Sequence, residues 1–358
     1  MWECGKKFMQ ILYQNDFVPM VSLSNFQKES ISKLLKDIKD DKLVLVENDC
    51  LCCNRNHEND VIISEKDRYG IPVKNVICSK CGLIRSQTIF SEESNISFYK
   101  NYYRDIYVGL SKPDEQFFDD QKSRGKNFLS LVKTHIDLNE IRQILEIGCG
   151  SGGIMFPFHN MGISCKGIDF NKEYLKFGRS KGLLLLYGDY KNQIEDESID
   201  LLILSHVMEH FTNPIEEMIE VIKKVTINKY LLIEVPGIFY MDKVYLYPIL
   251  YLQNAHVFNY YYYYLRVFYE KLGLEVIYGD ERCTFLLKKN QNWKEPKINC
   301  IYEDSLKVYP EKIKRFILKT HFQYKYSLSL YVWKRRIIKI LNFLGIKEII
   351  KKQLKKET

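Results

Sequence analysis

The chain has no long hydrophobic run. Nowhere do about 18 apolar residues follow one another, the length that a membrane-crossing helix needs. Between Met1 and Met20 there is no basic flank followed by an apolar core, so no export signal is read and a cytoplasmic protein is expected. Glycine and proline are not elevated, at 18 and 9 of 358 residues, and no unit repeats at a fixed period. Collagen-like, low-complexity and solenoid architectures are excluded on those grounds. Basic charge is also missing from most of the chain, although the net charge is +8. Residues 310–358 hold 14 Lys/Arg against 3 Asp/Glu, a local +11, which leaves the remainder at −3. The body is therefore not a polyanion-binding surface by composition.

What is present suffices for a core: 46% of residues are hydrophobic and 27% charged. The length suits two domains, or one with additions, at roughly 100–200 residues each. Ser24 or Asn25 caps a helix whose apolar positions Ile31, Leu34, Leu35 and Ile38 recur at helical spacing, within a first segment 1–44. A cysteine-bearing module covers 45–90 and a helical connector 91–136, with helix starts at Ser91 and Asp114. From 137 to 290 short apolar runs alternate with helical stretches. Ile144–Ile147, Cys165–Ile168, Leu183–Leu186, Leu201–Leu204 and Tyr230–Val235 read as strands at crossover spacing, followed by a hairpin from Leu274–Tyr278 and Thr284–Lys288. The expected class is α/β with a parallel, Rossmann-like sheet. Residues 291–309 read as a linker and 310–358 as a basic amphipathic tail.

Ten cysteines without an export signal are expected as thiols or metal ligands rather than disulfides. Half of them fall between Cys50 and Cys81. Cys50 and Cys53 form one C-x2-C pair and Cys78 and Cys81 another, with Gly82 following. Two such knuckles hold four thiolates around zinc, and a set of four leaves no open position, so the site is read as structural. Asp60 to Ile77 reads as strand, turn, strand, giving the module the look of a zinc ribbon. Cys52 is a possible replacement for Cys50 or Cys53, and His57 a weaker substitute.

The second motif is Glu146-Ile-Gly148-Cys-Gly150-Ser-Gly152-Gly153. A strand ends in it and a helix opens from it, so the backbone turns sharply and a ligand can approach without a Cβ in the way. Asp169 ends the next strand, where a carboxylate can accept from both ribose hydroxyls, and Gly188-Asp189 ends the third, where an Asp can meet an adenine amino group. After the fourth strand comes Ser205-His206-Val-Met208-Glu209-His210, and after the fifth Gln253-Asn254-Ala-His256. His206, Glu209, His210 and His256 are the candidate catalytic residues: an acceptor losing a proton as it takes a group needs a base, and imidazole titrates in the right range. His210 bonding only a backbone carbonyl, or His256 only holding a loop, are the plain alternatives.

Glu146 followed by Gly148, Gly150 and Gly152 resembles the first motif of class I S-adenosylmethionine-dependent methyltransferases. Gly148, Gly150 and Gly153 also satisfy the dinucleotide spacing G-x-G-x-x-G, but Glu146 and the Gly188-Asp189 pair favour the methyltransferase. The resemblance implies that Glu146 lies near the methionine end, Asp169 holds the ribose and Asp189 meets the adenine. The stretch from His206 to Pro214 is similar to the H-V-L-E-H-x-x-x-P of methyltransferases acting on small molecules and sugars; the N/D-P-P-Y/F of nucleic-acid amino-methyltransferases is absent. The order Cys50-x-x-Cys53, Asp67-Arg-Tyr-Gly70, Cys78-x-x-Cys81, Phe98-Tyr99, Tyr103-Arg104 and then the core resembles bacterial methyltransferases with an N-terminal zinc-binding region, associated with surface-polysaccharide or deoxysugar biosynthesis. The resemblance covers about 45–290 and implies S-adenosylmethionine and zinc as cofactors and a small-molecule or glycan acceptor. The extended C-terminal domain of the sugar C-methyltransferases is not recognised, so O-methylation is favoured over C-methylation.

The tail shows two amphipathic patterns between Tyr331 and Lys356, with Trp333, Ile337, Ile340, Leu341 and Leu344 on one face of the first. Such a helix can lie in a membrane interface, which would suit a lipid-linked acceptor; packing on the domain, a dimer contact or a partner-binding helix are the alternatives. Two other functions fit less well. An RNA methyltransferase with a zinc module conflicts with the near-neutral body, and a non-catalytic zinc- and cofactor-binding scaffold conflicts with the retained glycines, aspartates and histidines.

Overall fold

The computed structural model describes residues 11–326, apart from 110–112, 246 and 299, together with Trp333 and Ile337. The patterns read between Tyr331 and Lys356 therefore lie outside the described residues, those two apart. The chain opens with helix α1 (Asn25–Lys39), started by Ser24, whose side chain accepts from Gln27 N–H while the Gln27 side chain caps back. The cysteine module follows as β1 (Leu45–Glu47), β2 (Val61–Lys66), β3 (Pro72–Ile77), β4 (Ile84–Ser86) and β5 (Thr88–Phe90). The connector is α2 (Glu92–Phe98), a π-helical segment Tyr99–Val108 and the long α3 (Glu115–His135), capped by Asp114.

The larger part runs β6 (Gln143–Ile147), α4 (Phe156–His159), β7 (Ser164–Asp169), α5 (Lys172–Ser180), β8 (Leu184–Tyr187), β9 (Ile199–Ser205), α6 (Pro214–Lys224), β10 (Val225–Glu234), α7 (Met241–Val244), β11 (Phe258–Asn259), α8 (Tyr262–Lys271), β12 (Leu274–Gly279), β13 (Thr284–Lys289) and α9 (Tyr309–Lys325). The expected strands are all present. β10 starts before Tyr230 because Val225 already pairs with Ile199, with an irregularity between.

Seven strands form one sheet in the order β12-β13-β10-β9-β6-β7-β8. Neighbours from β10 to β8 are parallel, while β13 is antiparallel to both β10 and β12. From β6 the chain builds outward through β7 and β8, then returns to place β9 and β10 on the other side. That reversal makes a switch point between β6 and β9, and ligands of such sheets bind beyond the carboxyl ends of the strands there. Along β9, Leu201 and Ile203 enter one core with Phe118, Phe128 and Val132 of α3, while Leu202 and Leu204 enter the other. Both faces are covered, which is why the strands read as continuous apolar runs.

The second core is shared. Cys50, Ile63, Ile77 and Leu83 of the cysteine module pack in the same buried cluster as Leu202, Leu231 and Val257. β11 adds antiparallel to β4, so a segment from beyond β10 completes the four-stranded sheet β11-β4-β3-β2. The module is thus welded to the carboxyl-end side of the main sheet.

Two expectations change here. The stretch read as a linker, 291–309, is pinned to the cysteine module: Cys300 Sγ donates to the Cys52 carbonyl at 3.1 Å, Tyr302 N–H donates to the same oxygen at 3.1 Å, and Ile301 is fully buried. The first part of the expected tail is a packed helix, not a free one. α9 buries Pro310, Ile313, Ile317 and Thr320, stacks Tyr309 on Tyr261 at 4.5 Å and accepts or donates through His321 Nδ1 to the Tyr13 hydroxyl at 2.8 Å. An amphipathic pattern serves a protein core as well as a lipid surface, and here the core takes it. Among the described residues no helix is long and apolar enough to cross a membrane.

Candidate active site

The glycine turn sits at the carboxyl end of β6. Gly148, Gly150 and Gly152 all take positive φ, at 71°, 56° and 76°, a region that side chains other than glycine's rarely adopt. A Cβ on Gly148 would lie 2.6 Å from Val207 Cγ2, so the turn and the histidine-bearing segment after β9 are in direct contact. The turn is braced by α3: Gln121 Oε1 accepts from the Ser151 hydroxyl at 2.8 Å. Glu146 is buried and its Oε2 accepts from Met155 N–H at 3.2 Å. Burial raises its pKa to about 8, so the carboxyl is held largely protonated at neutral pH.

Asp169 closes β7, and both its oxygens are engaged. Oδ2 accepts from Gly150 N–H at 2.9 Å and from Arg104 Nη2 at 3.1 Å; Oδ1 accepts from Asn171 N–H at 2.8 Å. The Arg104 guanidinium lies over the Tyr174 ring at 4.6 Å. Asp189 is exposed, two residues beyond β8, with Oδ1 accepting from Lys191 N–H at 3.0 Å. Between the two aspartates, Phe170 and Tyr187 stay exposed, at 57% and 42%, in an edge-to-face pair.

Past β9 the chain makes its sharpest departure. His206 has φ of 56°, a strained value for this residue type. Its Nδ1 lies 3.2 Å from Glu209 Oε1 and its Nε2 3.4 Å from Glu234 Oε1. Burial works against a charged ring, but the two carboxylates outweigh it and push the His206 pKa up to about 9. Burial likewise opposes ionisation of Glu209, yet the hydrogen bond and charge of His206 hold it down to about 2. Arg124 of α3 reaches the same place, with Nη1 donating to the Ser205 hydroxyl at 3.4 Å and Nε 3.6 Å from Glu234 Oε1.

His210 and His256 come together across 46 positions of sequence, with ring centroids 5.1 Å apart. Burial lowers both pKa values, that of His256 to about 3, so both rings are neutral. His210 Nδ1 is 2.9 Å from the Ala255 carbonyl. A carbonyl only accepts, so Nδ1 carries the hydrogen and Nε2 the lone pair. That lone pair is 3.5 Å from the Tyr103 hydroxyl. Tyr99 and Tyr103 of the π-helical segment meet His210 edge-on at 5.7 and 5.4 Å, and Tyr107 stacks on Tyr103. The connector thus roofs the reacting end with aromatic rings.

The cysteines aside, the site residues expected from the sequence lie at or just past the carboxyl ends of β6 to β9, except His256, which precedes β11 and meets them through His210. Sequence reasoning did not assign Arg104, Gln121 and Arg124. The Tyr103-Arg104 pair stood out in the sequence only as part of the family resemblance, and the α3 residues carry no local pattern. The four cysteines form a separate cluster. Cys50 Sγ and Cys81 Sγ are 3.6 Å apart, Cys53 Sγ and Cys78 Sγ 3.8 Å, and the four sulfurs lie within 4.8 Å of one another. Cys52 is outside this set, its carbonyl turned to Cys300 and Tyr302, and His57 is outside it as well.

Residues 145–232 match the family described as "Methyltransferase domain". No curated protein matches the chain in sequence. Among solved structures it is similar to a SAM-dependent methyltransferase from Archaeoglobus fulgidus, with 22% identity, 57% of this chain and 93% of that one covered, and a TM-score of 0.36. It is also similar to a possible histamine N-methyltransferase from Thermotoga maritima (19%, 49% and 93%, 0.37). A third is phosphoethanolamine N-methyltransferase 1 of Haemonchus contortus (13%, 67% and 57%, 0.41), of which this chain spans little more than half. These distant likenesses carry no argument about the acceptor. The domain match, the sheet order and the glycine turn support a class I S-adenosylmethionine-dependent methyltransferase.

Proposed function

We propose that the enzyme O-methylates a small-molecule or glycan acceptor, with a sugar of surface-polysaccharide biosynthesis as the favoured substrate, and that the cysteine module is a structural zinc site. The observation that carries the reading is the contact of Gly148 with Val207, which sets the cofactor turn against the segment bearing His206, Glu209 and His210. S-adenosylmethionine, when bound, supplies an electrophilic methyl on a positively charged sulfur. The residues present fit it: the turn Gly148–Gly152 offers bare backbone, Glu146 lies beneath, Asp169 can hold the ribose, and Asp189 with Phe170 and Tyr187 can receive the flat base. Asp169 now serves Arg104, so a ribose diol must displace or share that guanidinium.

At the other end an acceptor hydroxyl must lose its proton as its oxygen takes the methyl. His210 Nε2 presents a lone pair for it, in a ring fixed by Ala255 and walled by Tyr99 and Tyr103. His256 backs His210, and Glu209 with His206 positions the group. Aromatic rings beside polar hydrogen-bonding groups also suit the apolar face and hydroxyls of a sugar.

The cysteine geometry fits zinc. Zn–S bonds of ~2.3 Å in a tetrahedron put the sulfurs ~3.8 Å apart, close to the spacing already present between Cys53 and Cys78. Radiolabelled methyl transfer into fractionated glycan, lipid and RNA pools tests the acceptor. The reading expects label in the glycan or small-molecule pool, with a lipid-linked glycan as one variant; label confined to RNA would refute it.

A further inference from the structure

We infer that Glu209, His210 and His256 form a binding site for a divalent transition-metal cation at the reacting end. The inference rests on the methyltransferase reading for its purpose but not for its geometry. One ligand atom from each of the three lies within 4.8 Å of the others. The hydrogen-bond inventory around them does not close. Glu209 is only 1% exposed, and its Oε2 has no partner. His256 is 4% exposed, its Nδ1 has no partner, and its Nε2 is 4.0 Å from Glu209 Oε1, too far to donate. His210 directs an Nε2 lone pair toward the same space. A buried carboxylate oxygen and a buried imidazole nitrogen left without partners are costly for a protein alone, and His210 Nε2 has only the Tyr103 hydroxyl at 3.5 Å.

A cation resolves it, and the surroundings are those that ligands need. His210 gives its other ring hydrogen to a backbone carbonyl, Ala255, and Glu209 Oε1 is held by His206. Such outer contacts fix the tautomer and orientation of metal-binding side chains. Two imidazoles and one carboxylate favour a first-row divalent ion over calcium or magnesium. Ligands at ~2.1 Å from an ion sit ~3–3.4 Å apart, depending on octahedral or tetrahedral geometry, so the group contracts on loading. Three protein ligands leave a position open for an acceptor oxygen. With the ion bound, His210 Nε2 is a ligand rather than the base; an acceptor hydroxyl at the open position would be acidified by the ion and give its proton to solvent.

The probe is Mn²⁺ added to the full chain with its thiolate metal in place; manganese stands lowest in the affinity order and does not displace zinc from thiolates. Electron paramagnetic resonance of free Mn²⁺ should show one saturable site in the wild type. Glu209→Gln and His256→Gln should each weaken it at least tenfold, while both variants bind S-adenosylhomocysteine as the wild type does, which reports that they are folded. Absence of a saturable site, or unchanged affinity in both folded variants, overturns the inference. Methyl transfer that persists undiminished with Mn²⁺ and all other added cations withheld and this site shown empty also overturns it, and leaves the methyltransferase reading intact. Tight Mn²⁺ binding lost in both variants upholds the site, even if no acceptor pool takes label and the acceptor reading fails.

Discussion

The cysteine quartet and the histidine–glutamate group are two clusters of ligand-bearing side chains with opposite designs. The quartet brings four like atoms from two tight turns, each pair three residues apart, to within 4.8 Å of one another, with two of the distances at 3.6 and 3.8 Å. It lies in a buried core that also receives Ile301, Leu306 and α9, so nothing is left open. The second cluster gathers unlike atoms from separate segments, keeps unmet lone pairs, and sits under tyrosines rather than under a packed helix. On the proposed reading the first arrangement holds the fold together and the second keeps valence free for a reactant.

Breaking the quartet should have the largest effect. Cys78→Ser is expected to abolish stoichiometric zinc and cost about 5 kcal/mol or more of stability, a share of the ~10–16 kcal/mol that a structural zinc supplies. Metal analysis and thermal unfolding check it, and the damage should reach the main sheet because the two share a core. Breaking the second cluster should leave the fold standing. His210→Ala and His256→Ala are each expected to lower methyl transfer about 10²–10⁴-fold, with cofactor affinity within about threefold of wild type.

The same contrast explains what could be read in the sequence. The cysteines, Gly148 to Gly152 and the strand ends at Asp169 and Asp189 follow from local spacing, because each function there is met within one or two turns of backbone. His206, Glu209 and His210 were legible as a group for the same reason. That His256 stands against His210, and that Ala255 fixes its tautomer, depends on the loop before β11 folding back to complete the sheet of the cysteine module. Arg104 and Arg124 are single basic residues on helices, and nothing in their neighbourhood distinguishes them from solvated ones. The stretch 291–309 lacks periodicity and reads as a linker, yet two bonds to the Cys52 carbonyl tie it down. The pattern of α9 did not say which surface its apolar face would meet.

Two smaller tests sharpen the comparison on the cofactor side. Glu146 has its pKa raised from 4.5 to about 8 by burial, so the folded state holds a proton that the unfolded chain releases. Its contribution is fully present below pH 4.5 and is lost as pH rises toward 8. Glu146→Gln should therefore leave stability unchanged near pH 4 and raise it by as much as about 4 kcal/mol near pH 8, measured by denaturant unfolding without cofactor. Arg104→Gln removes one partner from a pair 20% and 8% exposed, for which a loss of about 1–2 kcal/mol is expected, between exposed and buried pairs. Saturating S-adenosylhomocysteine should shrink that loss, since its ribose would occupy Asp169 in place of the guanidinium.

The central claim is that one site has a cofactor half at the glycine turn and an acceptor half at the histidines. Calorimetric binding of S-adenosylhomocysteine, run beside labelled methyl transfer, tests it most directly in Gly150→Arg and His210→Ala. Gly150 has φ of 56° and a Cβ there would already crowd Gln121, so an arginine should fill the cradle. Gly150→Arg should lose binding and transfer together, while His210→Ala should bind as the wild type does and transfer about 10²–10⁴-fold more slowly. Full transfer by His210→Ala, or undiminished binding by Gly150→Arg, would contradict it.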